Sequence, residues 1–265
     1  MKDVSQALRL IAHTIEHKEE RLNGYRIEDR RLATVQRLLA GERLDASLLD
    51  YNMTSSHAGF VVVGSELDTL FTNLRSHGQS RLLFVRVGPD TLWGWFGGRR
   101  QALDHDLELL SSQEWPGGTA VACGEPAEEL GGWRLTHRQS IAALPIAVVE
   151  RAPVVHYRDV ALLATALQND LLSSSLRQTY LEPLAQGRDG GKAARDTLRA
   201  YLLSKHQVSS AAALLGVNRA TVRNRLEAIE ELLGSSLGCV WSELDLALKL
   251  EAFEQANTQS VQQTG

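Results

Sequence analysis

The stretch SSAAALLGVNRATVRNRLEAIEELLG, residues 209–234 of this 265-residue chain, carries the side chains best suited to chemistry on a partner. Arginine can grip guanine O6 and N7 in a duplex major groove, asparagine can grip adenine N6 and N7, and alanine can touch a thymine methyl. With about 100° per residue counted from Val222, Ala220, Asn224 and Glu227 point away from it, and Arg219 and Arg223 lie on the flank. Thr221 and Arg225 fall toward the sides, where contacts to phosphate fix register without reading sequence. The expected base-reading residues are therefore Arg219, Ala220, Arg223 and Asn224. The expected phosphate contacts are Thr221, Arg225 and Lys205.

Such side chains need a scaffold that buries one helical face and bares the other. Ser209 or Ser210 can cap a short helix running to Leu215, and Gly216 can take the positive φ of a tight turn. Asn218 is a suitable N-cap for a second helix from Arg219, in which Val222, Leu226, Ile229 and Leu233 form one apolar stripe. Ala212, Gly216 and Val222 then occupy the small, turning and inward-packing positions of a helix-turn-helix.

Local charge agrees with that chemistry although the whole chain does not. Its formal charge is −4, with 28 Lys and Arg against 32 Asp and Glu. Between residues 192 and 226, however, Lys192, Arg195, Arg199, Lys205, Arg219, Arg223 and Arg225 face the single acid Asp196. From Glu227 onward only Lys249 opposes Glu227, Glu230, Glu231, Glu243, Asp245, Glu251 and Glu254. A helical region with one basic and one acidic end is oriented by the field of DNA even when its sum is near zero.

Other chemistries find less support. His13-Thr14-Ile15-Glu16-His17 matches the H-x-x-E-H pattern of some zinc proteases, but no downstream helix offers a third ligand, so a solvated helical face is expected. Neither a phosphate-binding loop nor a dinucleotide fingerprint occurs. Cys123 and Cys239 cannot build a disulfide scaffold, and Cys123, in an apolar run, reads as a buried small hydrophobe. No catalytic residue, metal or cofactor is expected. The N-terminus lacks a signal-peptide core and no 18 apolar residues run together, so a cytoplasmic protein is the expectation.

Upstream, residues 4–15 and 27–39 have amphipathic helical spacing, the second ending at Gly41. GFVVVG, RLLFVRV, TLWGWF and GTAVACG read as strands, with a turn at Gly88-Pro89-Asp90, and VVHY at 154–157 could add an edge strand. Helical stretches between them give the order β-α-β-β-α-β of a ferredoxin-like or palm-type α+β domain. Trp93, Trp95 and Phe96 are expected to pack on a sheet face, and Pro145 to kink a helix spanning residues 133–150. Residues 159–186 read as further helices, QGRDGGK at 186–192 as a linker, and the polar NTQSVQQTG at the end as disordered.

TLRAYLLSKHQVSSAAALLGVNRATVRNRLEAIEELLG, followed by LDLALKLEAF, resembles the C-terminal helix-turn-helix of PucR/CdaR-type transcriptional regulators. AALLGVNRATVRNRL also resembles the DNA-binding end of the Fis protein. More loosely, TVQRLLAGERLDASLLDYNMTSSHAGFVVVG, GEPAEELGGWRLTHRQSIAAL and VVHYRDVALLATAL resemble the family's GGDEF-like middle domain.

The resemblance implies a bacterial regulator, with Arg219 to Arg225 in the recognition role. An active cyclase would need metal-binding carboxylates on the central hairpin, where this chain has VRVGPDTLWGWFGG with Asp90 alone, so the domain is expected to be non-catalytic. Larger members carry a sensor domain before that part. Only about 55 residues precede it here, so the effector cannot be inherited from the family.

The expected organisation is N-terminal amphipathic helices at 1–55, a degenerate GGDEF-like α+β domain at 56–158 and connecting helices with a linker at 159–191. An all-α helix-turn-helix domain at 192–255 and a disordered tail at 256–265 complete it. Expected partners are double-stranded DNA, a second copy in a homodimer and, as a candidate, RNA polymerase, with an unknown small-molecule effector and no membrane. The alternatives are an adaptor whose helix-turn-helix binds protein, distinguished by weak salt dependence, and a cyclase-like enzyme.

Overall fold

The computed structural model describes residues 27–65, 67, 74, 76–150, 154–186 and 189–264. Two units divide the chain, Met1–Asp159 and Val160–Gly265. The amphipathic segment at 4–15 and the H-x-x-E-H pattern at 13–17 fall outside the described residues.

In the first unit, helix α1 (residues 27–39) precedes strands β1 (Ser56–Val63), β2 (Arg81–Gly88) and β3 (Thr91–Gly98). Helix α2 (Arg100–Ser112), β4 (Ala120–Cys123), the short β5 (Ala127–Glu128), α3 (Glu129–Glu150) and β6 (Val154–His156) follow. The sheet order is β2-β3-β1-β4-β6, with β5 paired to β1 off that path. β1 runs antiparallel to β3 and β4, β2 antiparallel to β3, and the edge strand β6 parallel to β4. A mixed α+β unit results. The β2–β3 hairpin turns at Pro89-Asp90, where the Asp90 carbonyl accepts the Gly64 N–H at 2.9 Å.

Alternation along β3 sorts its side chains between two layers. Leu92 and Phe96 join Phe60, Val62, Val121 and Cys123 beneath Leu103, Leu107 and Leu110 of α2. Trp95 turns the other way, toward Leu83, Val85, Val35, Leu38 and Trp133 of α3. Its indole stacks on that of Trp133 at 4.5 Å and its Nε1 donates to the Trp133 carbonyl at 3.1 Å. Of the β3 aromatics, Trp95 and Phe96 are therefore core and essentially inaccessible, while Trp93 is half-buried. Cys123 is also buried, and burial pushes its thiol pKa up.

Helix α3 approaches the sheet closely enough that residue 124 must lack a side chain. A Cβ on Gly124 would fall 2.0 Å from the Thr136 carbonyl oxygen. The Thr136 hydroxyl meanwhile accepts the Gly59 N–H at 2.6 Å. Helix α3 continues through Pro145, although proline gives up one internal hydrogen bond there.

The second unit is helical: α4 (Tyr157–Ala166, begun at the boundary), α5 (Asp170–Leu176), a π turn at Arg177–Leu181 and a 3-10 turn at Pro183–Gln186. Helices α6 (Lys192–Leu203), α7 (Val208–Leu215), α8 (Arg219–Leu233) and α9 (Leu237–Thr264) complete it. The polar residues 257–264, expected to be disordered, instead extend α9, continuing a helix already anchored upstream by buried Leu244, Ala247, Leu248 and Leu250. Among the described residues no helix is long and apolar enough to cross a membrane.

Candidate nucleic-acid interface

The turn between α7 and α8 is built by local chemistry. α7 ends at Gly216, which takes φ 65°, and the Val217 N–H closes back on the Ala212 carbonyl at 3.0 Å. Asn218 then caps α8: its Oδ1 accepts the Thr221 N–H at 2.7 Å and the Thr221 hydroxyl at 2.9 Å. The start of α7 differs from expectation. Gln207 holds the N-cap position, so Ser209 and Ser210 lie inside the helix, Ser210 donating to Gln207 Oε1 at 3.3 Å.

On α8 the inward stripe is Val222, Leu226 and Ile229, all buried, while Leu233 is only half-buried. α7 offers Ala211 and Ala212, and α6 offers Thr197, Leu198 and Ala200, as further core. Small residues on α7 let two helices approach closely. Asp189 finishes the entry to α6 by accepting the Gly191 and Ala193 N–H groups at 3.0 and 2.6 Å. Those donors hold its carboxyl below the usual carboxylate range.

The outward side of α8 exposes Arg219, Ala220, Arg223 and Asn224, the four residues singled out from spacing. Among the described residues none forms an ion pair with Arg219 or Arg223. Lys205 is exposed as well, in the turn after α6. The other two are partly engaged. The Thr221 hydroxyl proton is spent on Asn218, and Arg225 donates through Nη1 to Thr197 Oγ1 at 3.3 Å. Toward the C-terminal half of α8 the exposed face turns acidic, with Glu227 and Glu231.

Tertiary packing redistributes the charge that composition had assigned to one end. Glu251, on α9, receives Arg199 at 2.7 Å and Arg195 at 3.3 Å. Lys192 pairs with Asp196 at 2.6 Å. Three of the seven cations counted between residues 192 and 226 are therefore held by carboxylates, and the unpaired positive charge concentrates on α8 and Lys205. Sequence spacing had no means to find Glu251, 52 positions from Arg199.

Among the described residues no group of three or more His, Cys, Asp or Glu could hold a metal.

Residues 194–252 match the model of the PucR C-terminal helix-turn-helix domain. No curated protein matches the sequence. A solved structure, a regulator of polyketide synthase expression from Bifidobacterium adolescentis, aligns over 86% of this chain and 93% of its own, at 18% identity and a TM-score of 0.39. That likeness is too slight to carry an argument. The domain match spans α6, α7, α8 and the first half of α9, the helices whose caps, buried stripe and bare outer face are described above. Over residues 194–252 the chain is thus similar to the PucR C-terminal helix-turn-helix domain.

Proposed function

We propose that the chain is a sequence-specific DNA-binding transcriptional regulator whose helix α8 enters the major groove. One observation carries this reading: Arg219, Ala220, Arg223 and Asn224 are all exposed on α8, Ala220 and Asn224 opposite the buried Val222, Leu226 and Ile229 and the two arginines on the flank. Arg219, Ala220, Arg223 and Asn224 read bases. Lys205 and Arg225 hold phosphates, and Thr221 joins them if its hydroxyl leaves Asn218. The acids Glu227 and Glu231 keep the far half of α8 away from the phosphates, so the helix goes in by its first two turns.

Residues 56–158 act as a non-catalytic, degenerate GGDEF-like domain. The strand order β2-β3-β1-β4 with antiparallel neighbours supports a palm-type reading, and Asp90 alone at the hairpin offers no paired carboxylates for a metal. The N-terminal segment 1–55 or that domain joins two copies, since one helix-turn-helix grips only a short half-site. Residues 159–191 connect the domain to the DNA-binding part at 192–255. The protein works in the cytoplasm, with RNA polymerase as a candidate partner and no resident cofactor.

Selection of bound sites from random duplex DNA tests the reading. An enriched motif with two half-sites at a fixed spacing is the expected result. Recovery of no motif, with binding insensitive to salt, would favour a protein-binding adaptor instead.

A further inference from the structure

The turn between α6 and α7 contains two consecutive non-glycine residues in the left-handed region, Lys205 at φ 49° and His206 at φ 64°. Side chains with a Cβ disfavour that region, and such a pair persists only where its surroundings hold it. Backbone bonds supply part of the hold: Lys205 N–H donates to the Leu202 carbonyl at 3.0 Å and His206 N–H to the Tyr201 carbonyl at 2.9 Å. Rings supply the rest. The His206 imidazole stacks on the Trp241 indole at 4.6 Å and 17°, and Tyr201 stands 5.4 Å from each of them.

Trp241 sits immediately after the break in α9 at Val240, whose φ is −125°. Two irregular pieces of backbone, 35 positions apart in the chain, thus meet through one aromatic stack. Its placement relative to α8 is defined, because Tyr201 and Trp241 line one groove together with Arg223. Glu227 and Glu230 also line that groove and make it hostile to phosphate. Lys205 lies outside the lining, exposed and without an ion-pair partner among the described residues.

We propose that the Tyr201–His206–Trp241 stack is a positioning device. It pins the Ser204–Gln207 turn so that the Lys205 ammonium stands ready for a backbone phosphate outside that groove. His206 and Trp241 are positioning residues, acting through Lys205 rather than on DNA themselves. This rests on the DNA-binding reading. It adds a claim that reading does not contain: an aromatic pair distant from any base contact sets one unit of the electrostatic footprint.

The test uses the full chain and a random-sequence duplex of about 30 base pairs, with binding followed by fluorescence anisotropy across a salt series. Lys205→Ala should lower the slope of log affinity against log salt by about 1. His206→Asn should lower it equally, because asparagine tolerates positive φ but cannot stack on the indole. The double variant should fall no further than either single variant. His206 is exposed and lies in a turn, so His206→Asn should keep the wild-type helical circular dichroism even if it melts lower, which separates positioning from loss of fold.

A wild-type slope in His206→Asn, or additive losses in the double variant, overturns the proposal. An unchanged slope in Lys205→Ala, while Arg223→Ala still relaxes base preference, overturns it and leaves the DNA reading standing. A wild-type chain with no salt-dependent binding overturns both.

Discussion

The Arg199 guanidinium donates to Glu251 Oε2 at 2.7 Å, joining α6 to α9 across 52 positions of chain. The same carboxylate holds Arg195 at 3.3 Å, and the Glu251 and Arg195 side chains are only 18% and 17% exposed. One acid thus fixes two cations that would otherwise repel each other at i and i+4 on one helix face. The pairing also removes them from the surface charge offered to a partner.

Glu251→Ala should therefore destabilise the second unit by about 1–3 kcal/mol, since the partly buried Arg195 loses its paired acid and Arg199 keeps only Asp196, at 3.7 Å. Urea unfolding followed by helical circular dichroism measures it. A variant as stable as the parent would mean that water replaces the carboxylate without loss.

Asn218→Ala removes the acceptor for both the Thr221 N–H and the Thr221 hydroxyl. A loss of about 1 kcal/mol is expected, with Asn218→Asp or Asn218→Ser recovering most of it. Thermal melts of the three variants provide the comparison, and an Asn218→Ser variant no better than Asn218→Ala would contradict the capping role.

Arg223→Ala should weaken binding to a selected site by about 1–3 kcal/mol and relax the base preference at one position, if Arg223 grips a guanine through two hydrogen bonds. Gel shifts against a set of single-base variants read both effects. Equal loss on every sequence would instead make Arg223 a phosphate contact.

The first unit should lose stability in mild acid. His137 is 5% exposed, packed against Trp93 and Trp95 at 4.5 and 5.1 Å, and burial lowers its pKa to about 4. Its Nδ1 has no hydrogen-bond partner among the described residues. The folded state therefore keeps the ring neutral, whereas the unfolded chain protonates near pH 6.5. The unfolded state binds more protons between those values, so stability is full above pH 6.5 and falls as the pH drops toward 4, by up to about 3 kcal/mol. Burial lowers His57 in the same direction. Urea unfolding at pH 7.5 and pH 5 should show the loss, reduced in His137→Leu. An equal pH dependence in that variant would place the effect elsewhere.

What could be read from the amino-acid order was whatever depends on neighbours within one or two turns. Gly216, the Asn218 cap, the start of α8 at Arg219 and the division of Val222, Leu226 and Ile229 from Arg219, Ala220, Arg223 and Asn224 follow from helical periodicity and capping chemistry. The burial of Trp95 and Phe96 likewise followed from an apolar run beside a turn. Local rules misplaced the α7 cap and the end of α9, because a polar composition is a weak argument against extending a helix that packing has already nucleated. Only the tertiary structure brought Glu251 to Arg195 and Arg199, stacked Trp241 on His206 and set Gly124 against Thr136. Those relations join residues from 12 to 56 positions apart, where no periodicity along the chain relates the two partners and distance in space is decided by how whole helices pack.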